Sequence, residues 1–131
     1  MKNLWPEFQK KEEIAPKAII NKQAEFFDAL GIGLRANVSS VQGYDDDILA
    51  FGDKIWLVHT FRIKAIALDG FTFTLFRAKH KTTAMYPVHI YDNLTSIKYE
   101  AKTPSELETV LGEIFSTEET KEAIKNVMSQ L

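Results

Sequence analysis

The chain is predicted to form one α+β domain. It has an antiparallel sheet of four to five strands built around a long hairpin, with one N-terminal and two C-terminal helices packed on one face. Three observations carry this. Residues 54–68 and 71–80 are rich in β-branched and aromatic side chains and flank Asp69-Gly70, a pair suited to a tight hairpin turn. Helical periodicity occurs only before and after the strand-like segments. Strands and helices therefore do not alternate, which opposes a βαβ nucleotide-binding fold and favours helices segregated to one side of an antiparallel sheet.

Each element has its own signal. Residues 1–15 are polar, with Leu4, Trp5, Phe8 and Ile14 spaced irregularly, and are expected to form an arm ahead of a single domain spanning 16–131. Pro16 suits a first helical position, where its missing N–H has no partner to lose. Ile20, Ala24 and Phe27 then recur at helical spacing, widened by Ile19, Phe26 and Leu30, and Gly31 offers a C-terminal stop, so a helix is predicted over 16–30. Leu34, Ala36, Val38 and Ser40 alternate with polar residues, predicting a strand. Residues 43–53, with Asp45, Asp46 and Asp47, are predicted to be a loop into which Ile48, Leu49 and Phe51 could tuck toward the core. Strands are expected over 86–91, with Pro87 near the start or on an edge, and over 97–101. Thr103-Pro104-Ser105-Glu106 has the pattern of a capping box, and Ser116-Thr117-Glu118-Glu119 offers a second, each followed by an apolar stripe.

Composition removes several classes of function. The chain has 131 residues, of which 45% are hydrophobic and 26% charged, so it is long and apolar enough for one core. No cysteine is present, which excludes a disulfide framework, a thiolate metal site and a cysteine nucleophile, and suits a reducing, cytoplasmic setting. No uninterrupted apolar run exceeds four residues, as in Ala65 to Leu68, so no membrane span is expected. The formal net charge is −2, and a field of that sign disfavours nucleic acid as the partner.

The hairpin supplies the main candidate site. A two-residue loop at Asp69-Gly70 would pair Leu68 with Phe71, and hence Phe61 with Ala78, Ile63 with Phe76, Ala65 with Thr74 and Arg62 with Arg77. Lys64 and Lys79 would flank the two arginines. Like charges directly opposite destabilise a strand pair, so this cluster predicts either an anion or acidic-partner site, or neutralisation by carboxylates of the arm or the C-terminal helices. The same register sets His59 opposite His80, with His89 on the next strand. Two imidazoles and an aspartate from 45–47 could hold a metal, but no local spacing enforces that geometry, and no metal or cofactor is assigned. Consecutive aspartates lack the alternation of a calcium loop. Gly31-Ile32-Gly33 follows a helix rather than a strand, so it is not a dinucleotide loop. Ser39-Ser40 has no nucleophile-elbow setting and no identifiable base, so no catalytic residue is assigned.

Four short strings occur in order along the chain: Trp5-Pro6, then Pro16 with Ile20 and Gln23-Ala24, then Tyr86-Pro87-Val88, then Glu113-Ile114-Phe115-Ser116. Together they resemble a group of small, uncharacterised bacterial proteins of similar length. The resemblance implies a bacterial, full-length, one-domain protein and brings no activity, cofactor or site residue. The leading functional expectation is a non-catalytic interaction protein, an accessory, regulatory or immunity-type module with a protein partner. Its binding residues would be Arg62, Arg77, Lys64, Lys79, His59 and His80. The alternative is a small-ligand- or anion-binding domain, with enzymatic activity an open option, built on a pocket between sheet and helices. That pocket would use the same arginines and histidines together with His89, walled by Tyr86 and Tyr91.

Overall fold

A computed structural model describes residues 1–43 and 55–131. Among these, helix α1 (Pro16–Asp28) precedes five strands, β1 (Leu34–Gly43), β2 (Trp56–Ala65), β3 (Thr72–Lys81), β4 (Val88–Asp92) and β5 (Lys98–Ala101). Helices α2 (Pro104–Phe115) and α3 (Glu118–Met128) follow. The sheet is an antiparallel meander in the order β1-β2-β3-β4-β5, and the fold is α+β as the element order predicts.

Strand alternation sorts side chains onto two faces. The inner face carries Leu34, Phe61, Ile63, Phe76, Ala78, Val88 and Ile90, all buried against Ile19 and Ile20 of α1 and Leu107, Leu111 and Ile114 of α2. Phe61 and Phe76 stack at the centre with centroids 5.0 Å apart, and Phe115 tilts against both. Residues 1–14 are exposed and carry neither helix nor strand. Among the described residues no helix is long and apolar enough to cross a membrane.

The helix ends follow their sequence signals with one displacement. Pro16 opens α1, and Gly31 adopts φ +64° just beyond its end. Thr103 caps α2 by accepting a hydrogen bond from the Glu106 amide at 3.1 Å. The cap of α3 is Thr117 rather than Ser116, because Ser116 already closes α2 through its amide bonds to Gly112 and Glu113. Thr120 completes this corner, its buried hydroxyl donating to the Ile114 carbonyl at 2.8 Å. Phe26 and Leu30, expected to widen the buried stripe of α1, are instead 55% and 63% exposed.

The hairpin register differs from the expected one. A type I′ turn needs positive φ at both central residues, and only Gly70 has it, at +73°. The Leu68 carbonyl accepts from the Phe71 amide, but the strands themselves stop at Ala65 and Thr72, leaving residues 66–71 as the connection. Ile63 consequently pairs with Phe73 and Arg62 with Thr74. A β-bulge then inserts Leu75, beyond which Phe61 pairs with Phe76, His59 with Ala78 and Leu57 with His80. Leu75 and Phe76 are consecutive yet both buried, the signature of that extra residue. The direct pairs Arg62–Arg77 and His59–His80 therefore do not form.

Candidate functional site

Two arrangements gather the residues singled out by the sequence, one on each face of the sheet. The bulge matters to both. One inserted residue returns the inner and outer faces of β3 to alignment with those of β2, so Arg62 and Arg77 still share the outer face, one rung apart.

Strand pairing places Arg35 of β1, Arg62 and Lys64 of β2, Arg77, Lys79 and Lys81 of β3, and Lys98 of β5 on the outer face. Glu100 is the single carboxylate that the described strands set there. Like charges do meet directly, but across β1 and β2, where Arg35 opposes Lys64 and both are exposed. The three ion pairs among the described residues, Lys22–Glu25, Glu118–Lys121 and Glu122–Lys125, lie within α1 and α3. None neutralises an outer-face cation, so the expected compensation by helix carboxylates is not seen there. Arg62 is held by a hydrogen bond from its Nη1 to the Ser39 hydroxyl at 3.0 Å.

Over β3, β4 and β5 this face sinks into a concavity of about 420 Å³ lined by Val58, Arg77, Lys79, His89, Tyr91 and Lys98, with Ile90 and Tyr99 also reaching it. The Lys79 ammonium sits over the Trp56 ring, 4.7 Å from its centroid, and His89 meets the same ring edge-on at 5.9 Å. This cation–π contact orients Lys79 and covers the Trp56 face that a stacking ligand would need. Arg35, Trp56 and Lys98 were missed by sequence reasoning, and Lys81 stood out there only as the end of the basic run Arg77-Lys79-His80-Lys81. Alternation alone marks Arg35 and Lys98 as solvent-facing, but only the strand order puts them beside Arg62 and Arg77.

On the inner face, His59 and His80 touch diagonally, Nε2 to Nε2, at 2.9 Å. His80 Nδ1 lies 2.9 Å from the Lys81 carbonyl and 3.1 Å from that of Ala84. Carbonyls only accept, so Nδ1 of His80 carries a hydrogen. The two Nε2 atoms share one hydrogen, and His59 Nδ1 pairs with the Ser40 hydroxyl at 2.7 Å. The chain Ser40–His59–His80–backbone thus leaves neither ring nitrogen of His59 without a partner. Burial, then the neighbouring His80 and Lys17, push the His59 imidazole down to about 4.

The fold therefore supplies Ser40 with the base that sequence reasoning could not find. A base so hard to protonate is poorly suited to hold a proton taken from a nucleophile, since general bases work best near the operating pH. The network reads as a buried structural link between β1, β2 and β3. Among the described residues no three His, Asp or Glu side chains gather as metal ligands. Asp45, Asp46 and Asp47, considered as a metal ligand source and an acidic loop, lie outside the described residues, as do Ile48, Leu49 and Phe51.

No protein-family model, curated protein or solved structure matches this chain.

Proposed function

We propose that the protein is a non-catalytic binding module whose open, basic sheet face docks an acidic segment of another protein. The observation that carries this is charge segregation. A chain of net charge −2 sets seven lysines and arginines of its described strands on one sheet face, where those strands add the single carboxylate of Glu100. Such a face attracts and orients an anionic partner, and its self-repulsion is relieved when that partner arrives. The concavity bounded by Arg77, Lys79 and Lys98 suits carboxylates presented from a strand or loop. An acidic protein fits better than a nucleic acid, because Lys79 already occupies the face of Trp56 on which a base would stack.

The anion-site alternative moves with these residues. The cavity between sheet and helices is lined by none of Arg62, Arg77, His59 or His80. His59 and His80, placed in the candidate site by sequence, belong to the buried link instead of the basic surface.

The test is affinity capture from cell lysate with the wild-type chain and with Arg62→Glu and Arg77→Glu/Lys79→Glu variants. Binding of the captured partner's acidic segment is then titrated against salt. Expected is one partner, lost with the variants, whose affinity falls at least about tenfold as salt rises from about 50 to about 200 mM. A partner held equally by wild type and both variants would sink the proposal, and salt-sensitive binding of a single-stranded oligonucleotide in place of an acidic peptide would replace it.

A further inference from the structure

The helical side of the protein holds a second feature that the basic face does not use. An apolar cavity of about 310 Å³ opens between α1, α3 and the sheet. Phe61 and Leu75 form its floor, Phe27 and Ile124 its walls, and the exposed Phe26 and Leu30 its rim. Its polar groups are the Gln23 side chain and the Thr120 hydroxyl, which already donates to Ile114, and the rest of the lining is apolar. Large apolar side chains around an open cavity mark a surface that something covers.

The N-terminal arm has matching side chains. Leu4, Trp5 and Phe8 are 86%, 78% and 75% exposed. Where the arm meets the domain it is fixed, because the Tyr86 hydroxyl donates to the Ile14 carbonyl at 2.8 Å. From Ile14 a groove runs along α1, lined by Ala18, Lys22, Gln23 and Phe26 on one side and Glu108 of α2 on the other. Gln23 and Phe26 line the cavity as well, so groove and cavity are continuous. The track begins at the point where the arm begins.

We propose that the arm is a strap that folds back along this groove and seats Phe8 and Trp5 in the cavity. The lengths agree. From Pro16 to Phe26 the helix rises about 15 Å, and Leu30 lies about 6 Å further. Six extended residues from Ile14 to Phe8 span about 20 Å, and three more to Trp5 add about 10 Å. Phe8 thus reaches the rim at Phe26 with slack, and Trp5 reaches Leu30. Lys22, beside the groove, is engaged by Glu25 at 3.2 Å and lies over the Phe26 ring. Each aromatic ring can bury about 150–250 Å², and tethering holds the arm near its cavity at about millimolar effective concentration. The arm of a second copy competes poorly against that. The structure shows the open state, and the strap closes it by population shift.

The chain has two tryptophans, so Trp56→Phe leaves Trp5 as the sole emitter. Expected in the full chain is blue-shifted Trp5 emission and acrylamide quenching at least about threefold weaker than in a peptide of residues 1–14, constant from about 1 to about 100 μM protein. Phe8→Ser, at a position exposed in the open state, restores peptide-like quenching. The triple variant Leu4→Ser/Trp5→Ser/Phe8→Ser in an otherwise wild-type chain binds the apolar dye anilinonaphthalene sulfonate several-fold more tightly than the wild type. Peptide-like quenching throughout overturns the proposal. So does protection that grows with concentration, which would assign the cavity to a second copy, and so does equal dye binding by wild type and triple variant.

Discussion

Acid should unlock the histidine link, and the size of the effect can be worked out. His59 is completely buried, and its imidazole is held down to about 4 where the unfolded chain titrates near 6.5. Between those values the unfolded chain binds a proton that the folded chain refuses. Stability therefore rises with pH across this window, is fully present above about pH 6.5 and is lost as pH falls through about 4. From pH 7.5 to pH 4.5 the His59 contribution falls by about 2.5 kcal/mol, a large share of the total for a domain of this size. Geometry sets a further limit. The 2.9 Å contact between the two Nε2 atoms needs one bare nitrogen, so at most one ring can be charged while it lasts. The assay is urea unfolding of wild type and His59→Gln at several pH values. The glutamine keeps a neutral hydrogen-bonding group but removes the titration. The stability difference between the two chains should shrink by about 2.5 kcal/mol between pH 7.5 and 4.5. Curves that stay parallel within about 0.5 kcal/mol over that range would refute the reading of His59 as a buried neutral imidazole.

Three other outcomes follow from the packing and the caps. Phe61→Ala removes a ring that is 1% exposed and stacked on Phe76, and should cost about 3–5 kcal/mol in the same urea assay. Thr103→Ala deletes the acceptor for the Glu106 amide and should lower stability by about 1 kcal/mol, while Thr103→Ser restores most of it. Lys64→Glu replaces a like-charge pair with an opposite-charge pair across from Arg35, and should stabilise the chain by about 0.2–1 kcal/mol at low salt, an effect that high salt removes.

What the sequence determined by itself is what depends on near neighbours. Pro16 and Thr103 mark helix starts because a missing N–H or a side-chain acceptor acts within one turn. The alternation of β1 and the apolar stripe of α2 follow from the periods of strand and helix, so the element order and the α+β class were legible without coordinates. The Ser116 misassignment shows the limit even here, since a residue already closing one helix cannot also cap the next.

Only tertiary structure decided the register and everything built on it. The pair Asp69-Gly70 does not reveal that Asp69 keeps a negative φ, nor does the run Thr74-Leu75-Phe76 announce a bulge, because both are set by how the sheet packs on the helices. Those two local choices turn a direct Arg62–Arg77 clash into a diagonal arrangement and a direct His59–His80 pair into a diagonal hydrogen bond. Ser40 reaches His59 across 19 positions of sequence, and Lys98 joins Arg77 only through β4. Burial, which lowers the His59 pKa, and charge segregation, which makes the basic face, are properties of neighbours brought together from distant parts of the chain.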